Sequence, residues 1–338
     1  MQKDHCQFCI ECRKNTNYIT KKIQRSYFIR GKEYIFDTEA AICECCGEEI
    51  NLPGLMDKNA KLIDKQYREV EGLVSIDDIN SLMTLYNIGK APLSLALGFG
   101  EITITRYILG QYPSPEYSEV IRNALNNPKY MLDLLNQNRE KIGEVAYKKS
   151  RIAAESLINL LDSLSEKILF TISYILKEAE DITPLQLQKL LYYTQAIYMV
   201  NYNKTLFPEK CQAWEFGPVY KNVYDVFKEF KYNPIEDKRF IFFKNNHQSL
   251  SENDKHIIDM VINTFGMYSG KTLTSLTHRE SPWNEVYDDT VNFHSEVITN
   301  ESIKKYFVRM AKNFNFSTEE GINSYITELL AMKTEEVF

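Results

Sequence analysis

Apolar residues change their spacing along this chain, and the changes mark out its elements. Tyr18 to Gln24, Ser26 to Ile29 and Glu33 to Asp37 are rich in aromatic and β-branched residues, with Arg30-Gly31 as the turn, which predicts a small antiparallel sheet. From Ser75 the spacing becomes helical. Ile76, Ile79, Leu82, Met83 and Tyr86 form a stripe, and Ser75 stands as N-cap ahead of Asp77 and Asp78. Two short helices follow, Pro92 to Leu97 and Glu101 to Leu109, joined by Gly98-Phe99-Gly100 and closed by Gly110. Residues 129 to 180, behind Pro128, are helix-friendly, with Leu157, Leu160, Leu161, Leu164, Ile168 and Ile172 at roughly helical spacing. Such a stretch either pairs two subunits or packs on the next domain.

Thr183-Pro184-Leu185-Gln186 reads as an N-cap, a proline at the first helical position and a capping-box glutamine, so a long helix is predicted after it. Its stripe is Leu187, Leu190, Leu191, Thr194, Ile197 and Tyr198, with Gln188, Lys189, Tyr192, Gln195 and Asn201 elsewhere on the circumference. Gly217-Pro218, inside Ala213 to Val219, is expected to break regular structure before a helix resumes over Tyr220 to Lys231. Ser251 to Phe265 reads as a capped amphipathic helix and Thr272 to His278 as a short one, followed by Ser281-Pro282-Trp283.

At 338 residues, 44% hydrophobic and 25% charged, the chain is in the globular range and predicts two or three domains. It has no run of about 18 apolar residues and its start is polar, so the expectation is a cytoplasmic protein with no membrane partner. Six of the seven cysteines fall within the first 46 residues, a clustering that suits a metal site better than a disulfide framework; Cys211 stands apart and reads as a buried apolar thiol. Cys9-x2-Cys12 and Cys43-x2-Cys46 give two knuckles for one tetrahedral zinc. Cys6 and Cys45 compete, but a knuckle turns left-handed just after its second cysteine. Gly47 after Cys46 suits that turn, and Arg13 after Cys12 suits it better than Ile10 after Cys9. Four thiolates leave no open coordination position, so a structural zinc is expected.

Charge is uneven. Residues 1–60 carry nine basic and nine acidic side chains, residues 61–150 eleven of each, and residues 151–338 twenty basic and twenty-six acidic. The C-terminal half is therefore a poor DNA surface. In the second short helix Ile104 and Tyr107 are expected to face the core, leaving Ile102, Thr103, Thr105 and Arg106 outside, where threonine and arginine reach bases and phosphates. Spacing alone fits an ordinary helical hairpin equally well. The run Cys9-x2-Cys12, Ile42-Cys43-x2-Cys46-Gly47-Glu48-Glu49 and Leu97-Gly98-Phe99-Gly100-Glu101-x-Thr103-Ile104-Thr105-Arg106-Tyr107 resembles the MqsA-like antitoxins. That resemblance, over about residues 6–140, implies a zinc-binding domain joined to an Xre-type helix-turn-helix that represses its own operon, usually as a dimer on operator DNA.

Asp181-Ile182-Thr183-Pro184-Leu185-x-Leu187-Gln188-Lys189-Leu190-Leu191-Tyr192-Tyr193-x-Gln195, Ala213-Trp214-x-Phe216-Gly217-Pro218-Val219 and Leu276-Thr277-His278-x-Glu280-x-Pro282-Trp283 resemble the Panacea domain of SocA-like and GepA-like proteins, over about residues 165–312. That resemblance implies a mostly helical domain that holds a cognate toxin inactive, or an adaptor that delivers a partner to a protease. Gln188, Lys189, Tyr192, Gln195, Trp214, Phe216, Gly217, Pro218, His278 and Trp283 are its candidate toxin contacts, although each fits a core role as well. No nucleophile stands in recognisable spacing with His278 and Glu280, so a non-enzymatic protein is expected. The reading is a multidomain, mainly α protein: a small β zinc ribbon (1–58), a helix-turn-helix domain (62–145), a helical linker (146–164) and a mostly helical Panacea domain (165–338). Its function is read as the antitoxin of a type II toxin–antitoxin system that represses its own operon. The alternative is a proteolytic adaptor or transcription regulator without a toxin partner.

Overall fold

The computed structural model describes residues 6–243, 250–290 and 296–332 and is mostly helical, with a small antiparallel sheet at its N-terminal end. It divides into two compact units, residues 1–150 and 151–338.

The first unit opens with β1 (Cys6–Cys9), β2 (Lys14–Ile29), β3 (Lys32–Cys43) and β4 (Glu49–Ile50), an antiparallel sheet in chain order. β2 and β3 form one long hairpin whose last pair is Ile29 with Lys32. Arg30 and Gly31, with φ of 51° and 81°, supply the left-handed two-residue turn that matches strand twist. The expected interruption at Arg25 is absent: its guanidinium binds Glu49 at 2.5 Å, so a charge that reads as a strand end in sequence is neutralised within the strand.

α1 (Leu55–Val70) lies along β3. Asn59 accepts from the Glu39 amide at 2.9 Å and donates to its carbonyl at 2.8 Å; Gln66 does the same to Asp37, at 2.8 Å each. Each amide thus replaces one rung of a missing neighbouring strand. Phe36, Tyr67 and Leu73 form the core between α1 and the hairpin, with Tyr27, Tyr34 and Tyr112 packed on it. Arg68 is buried there, paired with Asp64 at 2.9 Å, bonded to the Val74 carbonyl and stacked 5.0 Å from the Tyr112 ring.

Helices complete the unit: α2 (Ile76–Leu85), α3 (Lys90–Ala96), α4 (Thr103–Ile108), α5 (Pro115–Asn126), α6 (Pro128–Gln137) and the start of α7 (Glu144–Ser163), which occupies the predicted linker. Ser75 and Asp78 close a capping box on α2, and Ile79, Leu82 and Tyr86 are buried as the stripe predicts.

In the second unit α8 (Glu166–Glu178) precedes α9 (Pro184–Tyr202), the central helix. The Thr183 and Gln186 capping box is formed. β5 (Cys211–Trp214), β6 (Gly217–Tyr220) and α10 (Lys221–Phe227) follow, then α11 (Glu252–Phe265), α12 (Gly270–Thr277), α13 (Ser281–Asn284), β7 (Val297–Ile298), α14 (Asn300–Met310) and α15 (Glu319–Ala331). α8, α11, α12, α14 and β6 all pack on α9, so every residue from Leu187 to Met199 is buried and the expected one-sided stripe becomes a helix buried all round. Gly217-Pro218 does not break the structure either. It enters β6, the outer strand of a β6-β5-β7 sheet, where a proline costs no ladder bond. Among the described residues no helix is long and apolar enough to cross a membrane.

Candidate functional site

Two reversals of the ribbon bring four cysteines together. Cys9 ends β1 and Cys43 ends β3, while Cys12 and Cys46 sit in the turns that follow. The four Sγ atoms lie within 4.8 Å of one another, with Cys9 and Cys46 at 3.6 Å and Cys12 and Cys43 at 3.9 Å. A tetrahedral ion with metal–sulfur bonds of about 2.3 Å holds its sulfurs about 3.8 Å apart, so these thiols are already spaced to hold a metal ion. The left-handed residues are Arg13 (φ 54°) and Gly47 (φ 78°), each directly after the second cysteine of its knuckle. Backbone amides of Cys12 and Cys45 point at the sulfurs of Cys9 and Cys43, at 3.5 and 3.3 Å. The Thr16 hydroxyl, 3.2 Å from Cys43 Sγ, draws that thiol down to about 6, whereas Cys12, bonded by Cys46 and its other neighbours, is pushed up. Thiols this close ionise together only around a cation. Cys6 and Cys45 are exposed and outside the cluster.

α3 and α4 pack together, the Ser94 hydroxyl accepting from the Ile104 amide at 3.0 Å, and Gly98 (φ 77°) makes the turn between them. α4 starts at Thr103, two residues later than its sequence suggests, because Gly100 and Glu101 belong to the turn. Ile104 and Tyr107 face the core; Ile102 and Arg106 are exposed, and Thr103 and Thr105 are half-buried beside them. The four residues thus share the outer side of one short helix.

The ten candidate contacts of the second unit separate into a scaffold and a tip. Trp214 pairs with Gly217 across a two-residue turn, Glu215-Phe216, and the backbone of this hairpin is held by side chains from elsewhere in the chain. Trp283 Nε1 donates to the Trp214 carbonyl at 2.9 Å and Thr274 to that of Phe216 at 3.2 Å. Lys189 Nζ donates to the Pro218 carbonyl at 3.0 Å, and Gln188 brackets Tyr220, accepting from its amide at 2.8 Å and donating to its carbonyl at 3.3 Å. Gly217 is required: its φ is 93°, and a Cβ there would stand 2.6 Å from both Lys189 Nζ and Thr277 Oγ1. Gln195 makes equivalent bonds to Leu206 and Phe207. Trp283 is sandwiched between His278 (3.8 Å) and Tyr287 (4.5 Å).

Gln188, Lys189, Tyr192, Gln195, Gly217, Pro218 and Trp283 are accordingly buried, Trp214 and His278 are half-buried, and Phe216 is 58% exposed. Trp214 lies against Tyr224, ring centroids 4.9 Å apart. The functional residues that sequence reasoning missed are Thr274 and Tyr224, which carry no pattern of their own; only the fold brings them to the hairpin.

Beneath the hairpin lies a buried polar cluster. Glu280 accepts from Tyr193 at 3.0 Å and Tyr325 at 2.6 Å, while its second oxygen and the Tyr192 hydroxyl find no bond within normal geometry among the described residues. Burial pushes the Glu280 carboxyl up to about 7 and pulls Lys189 down to about 7; burial and the Lys189 charge take His278 down to about 4. Cys211 is buried as expected, its thiol pushed up to about 12.

Residues 187–284, which contain this hairpin with Lys189, Gln188, Thr274 and Trp283 that hold it, and Glu280 of the buried cluster, match the family model of the SocA-like antitoxins, the Panacea domain. No curated protein and no solved structure matches the chain.

Proposed function

We propose that this chain is the antitoxin of a type II toxin–antitoxin system, that its Panacea domain captures the cognate toxin, and that its first unit binds operator DNA. The observation that carries the first part is Phe216, an exposed aromatic ring at the tip of a hairpin whose backbone is clamped by Trp283, Thr274, Lys189 and Gln188. A fixed backbone presenting a large apolar side chain is pre-organised for an interface, since little conformational freedom is lost on binding. Phe216, with Trp214 two residues before it in the hairpin and Tyr224 against that tryptophan, is the anchor that meets the toxin; the buried residues of the motif act by holding the anchor. The protein is non-enzymatic and cytoplasmic on this reading.

The test is co-expression of the adjacent gene product with and without this chain in a growth assay, followed by a pull-down. Restored growth with a stable complex is expected. A harmless neighbour, or one that does not bind, would sink the antitoxin reading and leave an adaptor or a regulator without a toxin. Phe216→Asp should weaken the complex by about 30-fold or more, the scale of an interface hot spot, while leaving the helical circular dichroism and its unfolding midpoint unchanged. Undiminished binding would remove the hairpin tip from the interface.

In the first unit the metal is zinc, bound once and structurally, because four thiolates fill a tetrahedral ion and leave no site for substrate. Two copies place α4 on two half-sites, with Thr103, Thr105 and Arg106 toward the duplex and Ile102 in apolar contact beside them. Arg106→Ala should lower operator affinity and reduce the slope of log K against log salt by about 1, the signature of one lost phosphate contact. An unchanged slope in a salt-titrated gel shift would take Arg106 off the DNA.

A further inference from the structure

The two long edges of the β2–β3 hairpin are finished differently. On the β3 side, β4 covers Ala41 and Ile42, and the amides of Asn59 and Gln66 occupy the backbone groups of Glu39 and Asp37. Those bonds also fix the register: Asp37 and Glu39 turn their amides and carbonyls away from β2, so their partners Gln24 and Lys22 turn theirs away from β3. By the same alternation Thr20, Ser26 and Phe28 also direct their backbone outward. β1 pairs β2 only over Lys14 to Asn17, and among the described residues no partner meets the outward amides and carbonyls of Lys22, Gln24, Ser26 and Phe28. Natural sheets cover such an edge or blunt it with charged side chains, and Lys21, Lys22 and Arg25 stand along this one.

We propose that two copies of this chain pair through the outer edge of β2, antiparallel about a two-fold axis at Gln24, joining their four-stranded sheets into one. The occupant is the second copy that the proposed function requires, and charge selects the register. β2 carries Lys14, Lys21, Lys22 and Arg25 and no acidic residue, so most self-pairings set like charges opposite each other. An axis at Lys22 opposes that lysine to itself, and an axis at Ser26 opposes Lys22 to Arg30. With Gln24 on the axis, Lys22 faces Ser26, Lys21 faces Tyr27, and Arg25, already paired with Glu49, faces Ile23. The same register sets Phe28 (78% exposed) opposite Thr20 and Ile19 (42% exposed) opposite Ile29, covering apolar side chains that water now surrounds. The lysines then work as the guard that permits one pairing and blocks its slipped neighbours.

The proposed function needs two copies on DNA without saying where they meet, and this inference supplies the contact. The test is sedimentation of the full chain, loaded with one equivalent of zinc, over about 1 to 100 μM, the range in which an interface of modest size associates. Gln24→Pro removes an amide that the β2–β3 ladder does not use and an edge strand tolerates; Gln24→Lys sets two like charges on the axis and decides the matter should the proline variant lose zinc. A dimer is expected whose dissociation constant rises at least ten-fold in the variants, with amide exchange at Lys22, Gln24 and Ser26 slowing as concentration rises. A wild-type dimer that both variants leave intact would overturn the edge contact while sparing the two-copy reading. A monomer throughout the range would overturn both.

Discussion

Cys43→Ser is expected to abolish metal binding and to unfold the knuckle end of the ribbon while the rest of the chain stays folded. The reason lies in what that end is made of. Its core is Cys9, Ala41, Cys43 and Ile50, with Cys12, Tyr18, Leu52 and Leu55 against it, so three of the ligands are themselves the packing. A cluster this small buries too little apolar surface to order its own backbone, and a structural zinc supplies on the order of 10 kcal/mol in such modules. The other end of the hairpin is held by Phe36, Tyr67, Tyr27 and Tyr34, an aromatic core that needs no ion. Backbone amide spectra recorded before and after chelation should therefore lose dispersion over residues 6–17 and 41–52, with residues 27–36 and the helices unchanged. Metal analysis should give one zinc per chain in the wild type and in Cys6→Ser and Cys45→Ser, and none in Cys43→Ser. A chelated protein with an unaltered spectrum would show that the ribbon folds without metal, and loss of zinc in Cys45→Ser would mean that the ligand set is wrong.

The knuckles were legible because metal ligation constrains residue type and spacing together, down to the left-handed position that Arg13 and Gly47 fill. The capped helices were legible for the same local reason: Ser75, Thr183 and Ser251 each satisfy a backbone amide three residues on. α1 was not. Leu55, Leu62, Ile63 and Tyr67 keep a helical spacing there, but no pattern shows that Asn59 and Gln66 on the same helix serve as substitute strand rungs for β3. α9 misled in the opposite direction. Gln188, Lys189 and Gln195 look like an exposed polar face, but the first two bond the backbone of β6 and the third that of a loop, and no one-dimensional pattern distinguishes a polar group facing water from one facing a buried carbonyl. The motif that carries the Panacea resemblance is therefore largely the scaffold of a hairpin. Of its ten candidates Phe216 at the tip is the exposed one, with Trp214 and His278 half-buried, and the exposure of one aromatic ring among ten candidates is a tertiary property.

The buried groups beneath that hairpin predict a stability that rises on the alkaline side of neutral pH. Glu280 is held at about 7, above its ordinary 4.5, so between those values the folded state keeps a proton that the unfolded chain has lost; stability is fullest below about 4.5 and falls as pH rises through 7. Lys189 is held at about 7, below its ordinary 10.5, so between 7 and 10.5 the unfolded chain binds the extra proton, and stability recovers as pH rises. Both slopes point down toward 7. His278, held at about 4 below its ordinary 6.5, adds a rise between those values that offsets the Glu280 fall, so at about 1.4 kcal/mol for each unit of pH at full slope the unfolding free energy should be nearly level from pH 5 to pH 7 and roughly 2 kcal/mol higher at pH 9. Asp225 and Asp254, both held below 3.8 by lysine partners and hydrogen bonds, contribute slope only below this window. The chain's two tryptophans, Trp214 and Trp283, lie in the second unit, so urea unfolding followed by their emission reads the domain that contains the pair. Glu280→Gln should remove the acid-side fall and leave a curve that rises with pH from about 5 to 9, because His278 and then Lys189 bind the extra proton only in the unfolded chain, while the amide oxygen still accepts from Tyr193 and Tyr325. Lys189→Met should flatten the alkaline side and, by freeing the Pro218 carbonyl, also weaken toxin capture through Phe216. A curve that peaks at neutral pH would mean that Lys189 and Glu280 are both charged and mutually satisfied in the fold, and the hairpin would then be pinned by an ion pair instead of by a desolvated amine.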